Sequence, residues 1–104
     1  MSEPSVTPPN PDRFRRDMAC TESEWLRWLA AALAGHRWRR DGDRAIVTVG
    51  AGTLCLAWTV APPRVIALMR LPRLLVDFAF DGVAPAEREA FLRRFDLHLQ
   101  RGGG

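Results

Sequence analysis

Apolar positions recur every three or four residues near the start of the chain, which is the spacing of a helix with one buried face. They run from Trp25 to Leu33. Thr21 and Glu24 have the spacing of a capping box, and Gly35 is a common type of residue at a helix end. The pattern predicts a first amphipathic helix between these signals.

A second helix is predicted near the C-terminus. It begins at Pro85, since proline is favoured in the first helical turn, and exits at Gly102. Its apolar stripe is formed by Phe91, Leu92, Phe95 and Leu99. Acidic residues early in the segment and arginines late in it agree with the helix dipole.

Between the helices the apolar positions alternate, which is the period of a strand. Asp41-Gly42 predicts a tight hairpin turn that pairs Arg40 with Asp43 and Trp38 with Ala45. A break or a bulge is expected at Leu71-Pro72. The predicted strands cover residues 36–40, 43–49, 53–60, 64–70 and 74–80.

These elements predict an α+β fold in the order α-β-β-β-β-β-α. Short connections favour an antiparallel meander of about five strands, with the N-terminal and C-terminal helices packed on one face. Residues 1–18 are polar and contain four prolines, which predicts a disordered tail. Residues 19–104 are expected to form a single domain.

The most informative prediction concerns the composition of the second sheet face. A solvated face of an antiparallel sheet is normally polar. Here the alternate residues are small or apolar, and we expect a protein partner to cover them, most simply a second copy of the chain. The tail or a twisted sheet edge is the alternative cover. The predicted interaction face comprises Cys55, Ala57, Thr59, Leu75, Asp77 and Ala79.

Charge adds little to this picture. All 15 basic side chains are arginine, and with 12 carboxylates the formal net charge is +3. The absence of lysine and the many alanines indicate a bacterial protein from a GC-rich genome. Arg37, Arg39 and Arg44 form a predicted basic surface, but Trp38 points to the other face of the strand, so stacking on nucleic-acid bases is not expected.

No cofactor, metal site or catalytic residue is predicted. Cys20, Cys55, His36 and His98 lack the tight spacing of zinc ligands. Gly50-Ala51-Gly52 joins two predicted strands, whereas a phosphate loop leads into a helix. The chain has no long apolar run and no signal-peptide pattern, so we expect a cytoplasmic protein that has no membrane partner.

The terminal sequence Arg101-Gly102-Gly103 resembles the Arg-Gly-Gly end of ubiquitin-like and sulfur-carrier proteins. The resemblance covers only these residues, and it implies a terminal carboxylate that an activating enzyme can reach. In that family a β-grasp strand leads into the tail, whereas a helix is predicted here. The sequence therefore favours an interaction or accessory module, with a small enzyme or ligand-binding domain as the alternative and a carrier as a remote one.

Overall fold

The structure is a computed structural model that describes residues 11–103, and it contains one five-stranded antiparallel sheet with two helices. The strands lie in the order β1-β5-β4-β3-β2 across the sheet. The predicted α+β class is confirmed. The elements are β1 (Arg13–Met18), α1 (Glu22–Ala32), β2 (Trp38–Asp41), β3 (Arg44–Val49), β4 (Gly52–Ile66), β5 (Met69–Asp81) and α2 (Pro85–Gly103).

One apolar core lies between the sheet and the two helices. The Trp25 ring of α1 lies 5.7 Å from the Trp58 ring of β4 and 6.1 Å from the Phe95 ring of α2. Phe95 in turn contacts Phe78 of β5 edge-on. Both helices therefore cover the same sheet face. The buried strand residues are Ala45, Val47, Val49, Leu54, Leu56, Trp58, Leu74, Val76, Phe78 and Phe80.

The start of α1 is fixed by side-chain hydrogen bonds, as the sequence predicts. The Glu24 amide donates to Thr21 Oγ1 at 3.1 Å, and the Thr21 amide donates to Glu24 Oε1 at 3.0 Å. These bonds satisfy amides that have no partner within the helix. Trp58 Nε1 also donates to Glu22 Oε2 at 2.9 Å, which ties the first turn of α1 to the middle of β4.

The expected disordered tail is wrong for its last six residues, which form β1 and pair with β5 at the sheet edge. Phe14 stacks on Phe78 with ring centroids 4.6 Å apart, so β1 adds to the core. Arg16 pairs with Asp96 of α2, and Arg88 of α2 donates to Asp12 at 2.9 Å. These contacts hold β1 in place. Residues 1–10 lie outside the described residues.

The β2–β3 hairpin is also displaced from its expected register. Asp41 pairs with Arg44 and Trp38 with Val47, so the turn residues are Gly42 and Asp43. Gly42 takes the positive φ of +61° at the first turn position, where glycine is favoured. The cross-strand pairs therefore differ from the predicted ones, but the two faces of the hairpin are as predicted. Trp38, for example, still lies on the helix side of the sheet.

The predicted fourth strand, over residues 64–70, does not exist as a separate element. Its first half ends β4 and its second half begins β5, and the chain turns at Ala67 and Leu68. Ala67 adopts a positive φ of +53° there. The pairing irregularity lies between Ala61 and Arg64, at Pro62-Pro63, rather than at Leu71-Pro72 as expected. With these changes the sheet gains β1 and still has five strands.

The C-terminal helix runs to Gly103, one residue beyond the predicted exit. Gly104, which would carry the carboxylate of a carrier protein, lies outside the described residues.

Replacing Gly52 with alanine is expected to destabilise the fold through a contact with the neighbouring backbone. An added Cβ would lie 2.3 Å from the Asp81 carbonyl oxygen. Backbone preference alone would make alanine about 0.5–1 kcal/mol more stable in a strand. We expect a loss of about 1–3 kcal/mol instead, measured by denaturant unfolding.

Gly42→Ala is the comparison variant, because its added Cβ meets nothing within 4 Å and only its positive φ is unfavourable. We expect it to lose about 1–2 kcal/mol. A Gly52→Ala protein as stable as the parent would contradict the close approach of β4 to residues 81 and 82.

Candidate functional site

The candidate site is the sheet face that carries no helix, called the open face here. The six predicted interaction residues all lie on it and form three directly opposed pairs across β4 and β5. The pairs are Cys55 with Ala79, Ala57 with Asp77, and Thr59 with Leu75. Thr59 is exposed and the other five are half-buried. The structure therefore brings the six together as one patch along the two central strands.

Asp77, the only charged residue of the patch, is neutralised by an ion pair. Arg15 of β1 donates through Nε to Asp77 Oδ1 at 2.7 Å and through a terminal nitrogen to Oδ2 at 3.2 Å. This hydrogen bonding holds the pKa of Asp77 below its ordinary value. The patch consequently presents a paired carboxylate rather than an isolated negative charge.

The predicted basic surface lies beside the patch, toward β2 and β3. Arg37, Arg39 and Arg44 are all exposed. Arg39 and Arg44 line a depression of about 430 Å³ together with Arg40, Asp41, Ile46 and Cys55. Arg37 lies in a neighbouring depression of about 180 Å³ that Trp38 and Thr48 also line. The three arginines therefore border the patch but do not converge on one point.

At the other end of the patch, β4 and β5 continue beyond the rest of the sheet as a two-stranded arm, residues 60–73. The last pair with β1 is at Leu74, and the last with β3 is at Ala57. At about 3.3 Å per residue the arm extends some 20 Å. Its exposed apolar side chains are Val60, Val65, Ile66, Leu68 and Met69, of which Leu68 at the tip is 100% exposed.

The sequence patterns do not predict this arm. The available signal was the uninterrupted apolar run over residues 65–69, which breaks the alternation expected of a strand with one solvated face. No turn is predicted within it, because the run contains no glycine, proline, asparagine or aspartate.

The open face runs into the arm without a break. Directly opposed residues in an antiparallel pair lie on the same face. Beyond the Pro62-Pro63 bulge, Arg64 pairs with Leu71 and Ile66 pairs with Met69. Because Leu71 and Met69 follow Leu75 at even spacing along β5, all of them lie on the open side. The apolar strip therefore continues from Leu75 to Met69, interrupted by Arg73 on the same side and by Arg64 opposite Leu71.

Arginines mark the base of the arm. Arg64 and Arg73 both donate to the Asp17 carboxylate of β1, at 3.3 and 2.8 Å. One carboxylate faces two guanidinium groups, so a net positive charge remains. Pro62, Pro63 and Pro72 have no amide to offer along the strand edges, which disfavours pairing with a further strand. Contact of the arm with another molecule is therefore expected through its faces rather than through its strand edges.

The remaining reactive side chains are dispersed. Cys20 is buried in the core, and burial raises the pKa of its thiol to about 11. The His36 ring lies 5.3 Å from Phe91, whereas His98 is exposed on α2. Within residues 11–103, no group of three or more His, Cys, Asp or Glu side chains has the geometry to hold a metal ion.

No family model, curated protein or solved structure matches this chain significantly. Among the described helices, none is both long and apolar enough to cross a bilayer.

The two cysteines are expected to react very differently with a thiol reagent. Cys55 is half-buried on the open face, whereas Cys20 is 1% exposed and its thiol stays protonated near neutral pH. A maleimide should modify one thiol per native chain near pH 7.5 and both in denaturant, measured by intact mass.

Cys55→Ser should abolish the native reaction, and Cys20→Ser should leave it unchanged. Equal rates at the two cysteines would contradict the position of Cys20 in the core.

Proposed function

We propose that this chain is a protein-interaction module that self-associates through the open face of its sheet. The observation that carries the proposal is the apolar strip on the open side of β4 and β5. It runs from Cys55 and Ala79 to Met69 and is interrupted by charged side chains at Asp77, Arg73 and Arg64. Monomeric proteins seldom leave a large contiguous apolar patch exposed, and such patches usually mark an interaction site. Full burial of one Val, Leu, Ile or Met side chain contributes about 1.5–3 kcal/mol, so covering the strip favours association.

The border of the strip has the composition of an interface rim. Arg15 of β1 lies on one side, where it pairs with Asp77 of the patch, and Arg39 and Arg44 lie on the other. An apolar centre with a charged, solvated margin is the usual anatomy of a protein–protein interface. A sheet face of this form also needs no rearrangement to meet a partner.

The alternative function is a small ligand-binding domain or enzyme. The depression beside Arg39, Arg40 and Arg44 favours an anionic ligand there, and Asp41 in its wall opposes one. Stabilisation of the native chain by inorganic phosphate, lost in Arg44→Ala, would support this alternative over self-association.

A charge placed in the centre of the patch is expected to prevent self-association. Ala57 is half-buried between Arg44 of β3 and Asp77 of β5, and Ala57→Arg would leave a guanidinium in the interface. We expect the dimer dissociation constant to rise at least about 10-fold in sedimentation equilibrium, which corresponds to about 1.4 kcal/mol.

Ala30→Arg is the matched control, since Ala30 is exposed on α1 in the opposite layer. It should associate like the parent. A parent chain that stays monomeric at every accessible concentration would refute the proposed self-association.

A further inference from the structure

We propose that the tip of the arm, residues 65–69, binds the surface of an anionic phospholipid bilayer. Its apolar side chains enter the boundary between the lipid headgroups and the acyl chains, and the arginines behind them contact lipid phosphates. The inference is independent of the proposed self-association, because Met69 lies eight residues along β5 from Asp77 of the patch, about 26 Å away.

The tip is apolar in every direction. Ile66 and Met69 form the last strand pair on the open side, and Val65 lies on the helix side. Leu68 stands at the end of the arm and is 100% exposed, and the other three side chains are more than half exposed. A flat protein surface covers only one of these directions. A lipid interface is fluid and surrounds an inserted tip on all sides.

The uncharged segment has the length that insertion into an interface requires. Residues 65–69 carry no charge, and Arg64 and Arg70 are the charged residues next to them. Arg70 is two residues from Leu68, and Arg64 is paired with Leu71, three residues from Leu68. At about 3.3 Å per residue these distances are about 7 and 10 Å. Interfacial segments bury their apolar groups to a depth of about 5–10 Å, so both arginines would lie level with the phosphates.

The backbone of the turn limits the depth of insertion. Ala67 and Leu68 lie beyond the last strand pair, so their backbone polar groups need water or lipid headgroups as partners. Contact therefore stops at the interface. The sequence predicts no membrane partner because it contains no long apolar run, but that argument concerns segments that span a bilayer. Binding at the surface needs only this tip.

Charge selects an anionic surface. The arm contains Arg64, Arg70 and Arg73 and no aspartate or glutamate. Asp17 of β1 pairs with Arg64 and Arg73, so three guanidinium groups against one carboxylate leave a net charge of +2. Within residues 11–103, Arg70 forms no ion pair. Basic side chains next to an apolar segment are attracted to the negative potential of an anionic leaflet.

A second copy of the chain is the competing occupant of the tip. An apolar tip would need a concave surface on that copy. The depressions of about 430 and 180 Å³ on the open face are lined by Arg39, Arg44 and Arg37, which repel a basic arm. The lipid surface is therefore favoured at the tip, whereas self-association is proposed for the patch.

Cosedimentation with vesicles tests the role of the tip. The parent chain should bind vesicles made of equal parts of phosphatidylcholine and phosphatidylserine. Leu68→Asp should bind at least about 10-fold more weakly, because a carboxylate replaces an apolar side chain that enters the interface. Since Leu68 is fully exposed, the fold should not change. Leu97→Asp on α2 is the matched control, because it alters the net charge equally at another exposed leucine, and it should bind like the parent.

A parent chain that binds no vesicles, or a Leu68→Asp chain that binds as tightly as the parent, would overturn the inference. Neither result bears on the proposed self-association, which Ala57→Arg tests separately. If the parent binds no vesicles and Leu68→Asp no longer self-associates, the tip belongs to a protein interface instead.

The arginines should make binding depend on lipid charge. Arg70→Gln is expected to weaken binding to the anionic vesicles about fivefold, which corresponds to about 1 kcal/mol, and to leave binding to pure phosphatidylcholine vesicles unchanged. Arg93→Gln, at an exposed position of α2, is the matched control and should bind like the parent. Equal effects of the two substitutions would contradict the contact of Arg70 with lipid phosphates.

Discussion

The pairing of β4 with β5 is the constraint on which the rest of the structure depends. It runs from Thr53 opposite Asp81 to Ile66 opposite Met69, and β1 and β3 attach to its two outer edges. Its helix side supplies Trp58 and Phe78, on which both helices pack. Because β4 and β5 extend beyond β1 and β3, the same pairing that builds the core also forms the arm.

Much of the fold is readable from local patterns. The capping box, the two helical stripes and the alternating strands are signals within a few residues of each other. They predicted both helices and four of the five strands placed between them, all except the strand over residues 64–70. The strand β1 was missed because its partners are distant in sequence. Phe14 stacks on Phe78, and Arg16 pairs with Asp96, whereas the nearby prolines and arginines have the composition of a solvated tail.

The arm was missed for a different reason. A turn is predicted in a sequence from residue types that tolerate its backbone angles, such as glycine and asparagine. Alanine is not one of these types, yet Ala67 takes a positive φ in this turn. The six residues of the predicted patch could be placed on one face, since alternation fixes the faces of a strand. That they form three opposed pairs depends on the register of β4 with β5, which is set by the turn and the bulge.

Geometry explains why one face is left uncovered. Five strands at about 4.8 Å span roughly 24 Å, and two helices about 10 Å wide cover one such face and no more. On the other face the outer strands carry polar side chains, as a solvated sheet face normally does. Their exposed residues there include Arg13, Arg15, Arg39 and Arg44. The central strands do not, because Cys55, Ala57, Leu75 and Ala79 lie there instead. A face that needed only to be soluble would be polar at its centre as well, so this apolar centre is the feature on which the proposed self-association rests.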